Sequence, residues 1–168
     1  MTFILFRRSA VLAACLLLGA CGFHPMYGAR NDGSSADADL ASVAVAEQKT
    51  RLGQLIRNEI LSEIAPVGLE SVGRYALEIL PRPQDEVVIQ EFDTDVLRRS
   101  IRVEAAFRLT EIGSGAELYS GRTFSLASYD RTGTPFSNLQ ARTSAEERAA
   151  KEVGADIATR LAAFFASR

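Results

Sequence analysis

The feature that most restricts the fold of this chain is an alternation of apolar residues over residues 101–110. Every second position is apolar, and these positions are Ile101, Val103, Ala105, Phe107 and Leu109. Because successive side chains of a β-strand point to opposite faces, the pattern predicts a strand with one core face. The residues between them include Arg102, Glu104 and Arg108, so the other face is predicted to meet solvent or a partner. The fold must therefore cover one side of its sheet.

Three further segments have the composition of strands. They are residues 40–45, residues 75–80 with a resumption at residues 87–92, and residues 118–129. Gly113-Ser114-Gly115 predicts a hairpin turn before the last of these strands. Pro81 and Pro83 predict a break or a sheet edge in the second strand. The imperfect alternation of the fourth strand predicts a bulge near Gly121.

Two segments have helical periodicity. Residues 50–64 carry an apolar stripe at spacings of three and four, and Pro66 and Gly68 end that segment. A polar loop is predicted at residues 130–138, and Ser144 and Glu147 predict a capping box that opens a second helix. The apolar stripe of this second helix is Ala149, Val153, Ile157, Leu161 and either Phe164 or Phe165.

The element order predicts the fold class. A strand, a helix, three strands and a helix follow one another, which we write β-α-β-β-β-α. This order is typical of an α+β fold in which two helices pack on one face of a mostly antiparallel four-stranded sheet. The sheet face opposite the helices is predicted to stay polar and available.

The N-terminal segment has the three parts of a bacterial lipoprotein signal. Arg7 and Arg8 precede an apolar stretch, which Leu18-Gly19-Ala20-Cys21 closes. The pattern predicts cleavage after residue 20 and a lipid anchor on Cys21. Cys15 closes a similar box at residues 12–15. Only three residues separate Leu12 of that box from Arg8, which is too few for the apolar region of a signal peptide. The apolar run is also too short for a transmembrane helix, which needs about 20 residues.

The chain after residue 20 is long enough for one domain. We expect a lipidated N-terminus and flexible tether at residues 21–39 and a single α+β domain at residues 40–168, because residues 28–39 are small and polar. The chain has 19 basic and 21 acidic residues; without Arg7 and Arg8 the basic count is 17 and the net charge is −4. This charge argues against a nucleic-acid partner.

The residue inventory excludes several kinds of catalytic site. His24 is the only histidine and lies three residues from Cys21, so a Ser-His or Cys-His site within the domain is excluded, and zinc sites built on these residues are excluded with it. Gly113-Ser114-Gly115 has no following lysine or helix start, which favours a turn over a phosphate loop. We expect no enzymatic activity, no metal and no cofactor beyond the covalent lipid.

Two charged groups leave alternatives open. One is acidic and consists of Asp85, Glu86, Glu91, Asp93 and Asp95; it fits a solvated loop better than a calcium site or an acid/base pair, because EF-hand spacing is absent. The other is basic and consists of Arg98, Arg99, Arg102 and Arg108. Guanidinium groups in this pattern suit phosphates of a lipid or sugar, and the alternative is a solvated face on which they pair with Glu104 and its neighbours.

Several short motifs together resemble the LPS-assembly lipoprotein family (LptE, once called rare lipoprotein B) in its alphaproteobacterial form. They are Cys21-Gly22-Phe23-His24-Pro25-Met26-Tyr27-Gly28, Tyr75-x-Leu77-x-Ile79, Arg99-x-Ile101-x-Val103, Leu118-Tyr119-x-Gly121, Ser128-Tyr129, Phe136-Ser137-Asn138 and the alanine-rich helix from Ala145. The resemblance extends over nearly the whole chain after residue 20.

The resemblance implies a non-enzymatic lipoprotein of the outer membrane, anchored in its inner leaflet on the periplasmic side. Such a protein plugs and helps assemble the LptD β-barrel and contacts lipopolysaccharide on its way to the cell surface. Of the family's functional residues only the lipidated cysteine transfers by motif, to Cys21. A different class of function stays open, namely a lipid-anchored scaffold of another envelope machine, such as barrel insertion or secretin piloting, without a lipopolysaccharide ligand.

Overall fold

The computed structural model describes residues 36–64, 73–89 and 97–168. The predicted signal peptide, Cys21, His24 and the tether up to residue 35 lie outside the described residues. So do Glu91, Asp93 and Asp95 of the acidic group, and the side chains of Asp85 and Glu86.

Four strands form one sheet. They are β1 (Val43–Val45), β2 (Tyr75–Ile89), β3 (Leu97–Glu111) and β4 (Glu117–Arg131), and their order across the sheet is the order along the chain. β1 runs parallel to β2, whereas the β2–β3 and β3–β4 pairs are antiparallel. The Gly113-Ser114-Gly115 hairpin is confirmed: the Glu111 N–H donates to the Ala116 carbonyl at 2.9 Å, and Gly115 has a φ of 69°.

Three helices complete the fold. They are α1 (Ala36–Ala41), α2 (Arg51–Ile64) and α3 (Pro135–Ala166). The α+β class, the mostly antiparallel sheet and the two long helices on one face are thereby confirmed, and the short helix α1 is an addition. Within the described ranges, no helix is both long and apolar enough to cross a membrane.

The core lies between the helices and one face of the sheet. The five apolar residues of the alternating segment in β3 are all at most 3% exposed, as the pattern predicted. Tyr75, Leu77 and Ile79 of β2 lie beside them, and α2 adds Leu52, Ile56, Ile60 and Ile64. α3 contributes mainly small residues, among them Ala145, Ala149, Ala150, Gly154 and Ala158, so its axis lies close to the sheet and to α2.

The beginning of the domain differs from the sequence-based prediction. Residues 40–45 were expected to form one strand, but Leu40 belongs to α1 and is buried there, and the strand begins only at Val43. The Ser42 N–H and hydroxyl both donate to the Asp39 carbonyl, at 3.1 and 2.7 Å. This turn separates helix from strand, and a short apolar run alone does not reveal it.

The prediction of a polar loop at residues 130–138 and of a helix opening near Ser144 is wrong. β4 continues to Arg131 and α3 begins at Pro135, so Ser144 lies within the helix and its hydroxyl accepts a hydrogen bond from Arg148. Pro135 is suited to a first helical position because its φ is already fixed near the helical value. The side-chain amide of Asn138 bonds both the N–H and the carbonyl of Thr132 at 2.7 Å, which holds the turn before the helix.

The irregularities of the sheet fall close to their predicted places. β2 runs unbroken through Pro81 and Pro83, so of the two predicted outcomes the sheet edge is observed and the break is not. The bulge in β4 lies at Leu118, which the register skips, whereas Gly121 is regularly paired with Phe107. A Cβ atom at Gly121 would lie 2.9 Å from Cζ of Phe107, so this glycine provides room for the ring.

Gly154 controls the approach of α2 and α3. A Cβ atom there would lie 2.7 Å from Cβ of Glu59 and 2.9 Å from the Ile56 carbonyl oxygen. Gly154→Leu should therefore lower the free energy of unfolding by about 1 to 3 kcal/mol, even though leucine is the better helix former. Urea denaturation of the full chain measures this loss. Gly133→Leu is the matched control, because no atom lies within 4 Å of its Cβ position; an equal loss in both variants would contradict the close-approach argument.

Candidate binding face of the sheet

No helix within the described residues covers one face of the sheet, and we call it the open face. It consists of the even-numbered residues of β2, β3 and β4 whose side chains lie opposite the core. The described residues that matter below are Glu78, Leu80, Arg82, Arg98, Arg102, Glu104, Ala106, Arg108, Ser120, Arg122, Phe124 and Leu126.

The open face carries large apolar residues in addition to charges. Leu80 is 54% exposed, Phe124 is 52% exposed and Leu126 is 49% exposed. The register places Leu80, Ala106 and Arg122 in one row across the sheet. The centre of this face is therefore an apolar surface next to cationic groups.

Cationic groups lie next to this apolar surface. In the adjoining row, Arg82 and Phe124 flank Glu104 on either side. The guanidinium carbon of Arg102 lies 3.8 Å from the centroid of the Phe124 ring, which is cation–π geometry. One nitrogen of Arg102 also lies 3.9 Å from a Glu104 carboxylate oxygen. Stacking and ion pairing together fix the Arg102 side chain in the middle of the open face.

The arginines predicted from the sequence do not converge on one site. Arg98, Arg102 and Arg108 are on the open face, whereas Arg99 has the parity of Ile101 and lies on the helix-covered side of β3. At about 3.3 Å per residue, Arg98 and Arg108 are roughly 33 Å apart along the strand. A single phosphate cannot contact both of them.

Each open-face arginine of the predicted set has an acidic neighbour. Nε of Arg98 lies 3.1 Å from Asp130, and Nε of Arg108 lies 3.3 Å from Glu117; both pairs are about half exposed. Arg102 has Glu104, as described above. Ion pairs of this kind contribute little to stability, on the order of 0 to 1 kcal/mol, and leave donors of each guanidinium available for a ligand.

Sequence reasoning did not identify Leu80, Arg82, Arg122, Phe124 and Leu126 as part of the candidate site. Phe124 and Leu126 look like core residues in a sequence, but Thr123, Ser125 and Ala127 occupy the side of β4 that faces the helices. Small residues are needed there because α3 lies close to β4. The pairing of Phe107 with Gly121 is the feature that places Phe124 correctly. In this register, Phe124 lies on the same face of the sheet as Arg102.

A shallow depression of about 270 Å³ lies on the open face near the β3–β4 hairpin. Its lining is mixed: Leu80 and Ala106 are apolar, and Glu78, Arg108 and Arg122 are charged. No three His, Cys, Asp or Glu side chains in the described part of the chain lie close enough to share a metal ion. Apolar and charged groups therefore lie side by side in this depression.

No protein-family model and no curated protein matches the chain. Among solved structures, it resembles a protein from Caulobacter crescentus CB15 that is described provisionally as a lipoprotein, with 24% identity and a TM-score of 0.63. The similarity covers 79% of this chain and 97% of the other. A minor lipoprotein from Acinetobacter baumannii is similar at 11% identity and a TM-score of 0.52, over 72% and 88% of the two chains.

The rare lipoprotein B of Shewanella oneidensis gives a TM-score of 0.42 at 15% identity, over 75% of this chain and 92% of the other. A TM-score this low carries no argument. The first two likenesses show a shared fold. The chain therefore has the α+β architecture found in these two bacterial proteins.

Proposed function

We propose that this protein is an envelope lipoprotein, anchored in the outer membrane through Cys21, that binds lipopolysaccharide and partners an LptD-like β-barrel during lipopolysaccharide transport. It acts by binding and has no catalytic activity or cofactor. The observation that carries the proposal is the open face, where exposed apolar side chains lie beside arginines.

Lipopolysaccharide requires this combination of groups. Its lipid A part carries phosphates next to acyl chains, so a protein that holds it must offer cations and apolar surface within one contact area. Arg82 and Arg102 lie diagonally across the β2–β3 pair, at roughly 7 to 8 Å by sheet geometry. Leu80, Phe124 and Leu126 provide the apolar part, and charge-assisted bonds from guanidinium groups to phosphate are strong.

Two further observations support the envelope part of the proposal. The sequence over residues 7–21 has the form of a lipoprotein signal. Two proteins that share the fold at a TM-score above 0.5 are a minor lipoprotein and a protein provisionally described as a lipoprotein.

The first experiment is an affinity purification of the tagged full chain from detergent-solubilised envelopes. Copurifying proteins are identified by mass spectrometry, and bound lipopolysaccharide is assayed in the same sample. Recovery of one large β-barrel together with lipopolysaccharide is the expected result. Recovery of neither would contradict the proposal.

Charge reversal at the centre of the open face tests the ligand contact. Arg82→Glu combined with Arg102→Glu should weaken the binding of purified lipopolysaccharide at least tenfold, because two phosphate donors become repulsive charges. Lys151→Glu combined with Arg168→Glu is the matched control, since it makes the same total charge change at two exposed positions of the C-terminal part of the chain, away from the open face. Equal losses of lipopolysaccharide binding in the two variants would mean that the effect depends on net charge alone. That result would contradict a site on the open face.

A scaffold function without a lipid ligand is the second candidate. It is favoured by the ion pairs on the open face, because Arg98, Arg102 and Arg108 each have a carboxylate within 4 Å. Under this function, affinity purification recovers other assembly factors, and depletion of the protein leaves surface lipopolysaccharide unchanged.

A further inference from the structure

We propose that the outer edge of β4 pairs with the same edge of a second copy of this chain, so that two molecules form one continuous eight-stranded sheet. The observations are the outward backbone groups of β4, with which no strand of the described residues pairs, the contrast with the other sheet edge, and the charge pattern along the strand. The proposal does not depend on the proposed ligand.

The direction of the backbone groups follows from the hydrogen bonds of β2. The Leu77 carbonyl accepts from Ala46, and the Tyr75 N–H donates to Ser42, so the odd-numbered residues of β2 bond toward β1. Because bonding directions alternate in an antiparallel sheet, odd-numbered residues of β4 bond to β3 and even-numbered residues point outward. The Ser128 carbonyl agrees with this assignment, since it accepts a bond from the Arg148 guanidinium at 3.0 Å.

The N–H and carbonyl groups of Ser120, Arg122, Phe124 and Leu126 therefore face away from β3, and no strand within the described residues pairs with them. β4 is 15 residues long and contains no proline. A long edge strand with exposed apolar residues favours pairing with another strand.

The opposite free edge is protected in a way that β4 is not. β1 covers β2 only as far as Leu77, and beyond that point Pro81 and Pro83 occupy odd-numbered positions. Their nitrogens thus face outward, which removes two donors from that edge without loss of a bond to β3. The contrast between the two edges indicates that β4 is available for pairing.

The charges of β4 favour a second copy as the occupant. An antiparallel pair with its two-fold axis at Leu126 places Arg122 opposite Asp130 of the second copy, twice by symmetry, so that Asp130 lies between Arg122 of one copy and Arg98 of its own chain, 3.1 Å away. Arg122 and Asp130 lie on the same face and at outward-pointing positions. A two-fold axis at Phe124 instead sets Arg122 opposite Leu126 and gives no charge pair at the outward-pointing positions, and an axis at Arg122 sets like charges opposite each other.

The helix side of the interface is complementary as well. A groove of about 500 Å³ separates the β4 edge from α3, and Phe124 and Glu152 are among its lining residues. With the axis at Leu126, Phe124 of one copy lies opposite Ser128 of the other, whose carbonyl accepts from Arg148 and has a second lone pair for the Phe124 N–H. Glu152 then approaches the Arg148 that bonds Ser128 in the second copy, and Glu152 has no ion pair among the described residues of its own chain.

Disulfide crosslinking in isolated envelopes tests the pairing. In the full chain with Leu126→Cys, the two cysteines lie directly opposite each other at about 5.5 Å between Cα atoms, which suits a disulfide. Oxidation should convert most of the protein to a species of twice the monomer mass on a non-reducing gel. Leu80→Cys, at a similarly exposed open-face position on β2, should give at least tenfold less.

Charge reversal then tests the register. Arg122→Asp in the Leu126→Cys chain should reduce the crosslinked dimer at least fivefold, and addition of Asp130→Arg should restore it. Absence of a dimer with Leu126→Cys, equal crosslinking of the Leu80→Cys chain, or crosslinking to a different protein would each overturn the proposal. Loss of lipopolysaccharide binding in the Arg82 and Arg102 variants is a separate result and leaves this proposal unaffected.

Discussion

Replacement of Phe165 by alanine is expected to lower the free energy of unfolding by about 3 to 5 kcal/mol. The Phe165 side chain is fully buried, and its ring centroid lies 5.1 Å from that of Tyr75 and 5.3 Å from that of Phe164. It joins the last turns of α3 to the beginning of β2, so its loss leaves a cavity between two elements far apart in sequence. Urea denaturation of the full chain, followed by far-UV circular dichroism, measures the change.

Phe136→Ala is the control for this prediction. Phe136 lies on the same helix, but its side chain is 70% exposed, so the substitution should change stability by no more than about 0.5 kcal/mol. Domains of ordinary stability have a free energy of unfolding of about 5 to 15 kcal/mol. The expected loss therefore brings the Phe165 variant close to unfolding, whereas the Phe136 variant keeps most of its stability. Similar losses in the two proteins would show that the core is not organised around Phe165.

The Phe164 and Phe165 pair illustrates what periodicity can and cannot decide. The helical stripe predicted that one of the two is buried, but a spacing of three or four residues allowed either. The structure buries Phe165 and leaves Phe164 partly buried, stacked on Tyr119 with ring planes 6° apart. The choice depends on the rotation of α3 over the sheet, which is a tertiary property.

Most of the fold could be predicted because its main signals are local and periodic. The alternation in β3, the stripe of α2 and the glycine hairpin each specify one element without reference to the others. The start of α3 could not be predicted this way. Residues 135–144 are exposed or half-buried and carry no core stripe, so only Pro135 and the Asn138 side chain mark the true beginning.

The candidate site was harder to predict because it depends on register between strands. The sequence identified Arg98, Arg102 and Arg108 through their shared parity in one strand. Arg82 and Arg122 join Arg102 only when β2 and β4 are aligned on β3, and the bulge at Leu118 sets the parity of β4. As long as the position of the bulge is unknown, the sequence of β4 is equally compatible with Phe124 and Leu126 facing the core or facing solvent.

The strongest expected effect on location concerns Cys21. Cys21→Ser should move the protein from the membrane fraction to the soluble fraction and abolish labelling by a palmitate analogue, because the residue that would carry the acyl chains is lost. Each buried methylene contributes about 0.8 kcal/mol, and one acyl chain binds only reversibly, so stable attachment to a membrane requires two or three chains. Ultracentrifugation of lysed cells, with detection of the protein in pellet and supernatant, measures the shift.

Cys15→Ser is the matched control, because it changes the other cysteine of the same segment and leaves the apolar stretch intact. Three residues separate Arg8 from Leu12, whereas nine separate it from Leu18, and only the longer spacing gives an apolar region of the usual 7 to 15 residues. The Cys15 variant should therefore keep both its label and its place in the membrane fraction. If label disappears from the Cys15 variant and persists in the Cys21 variant, cleavage occurs six residues earlier, and the anchor is separated from the domain by a correspondingly longer tether.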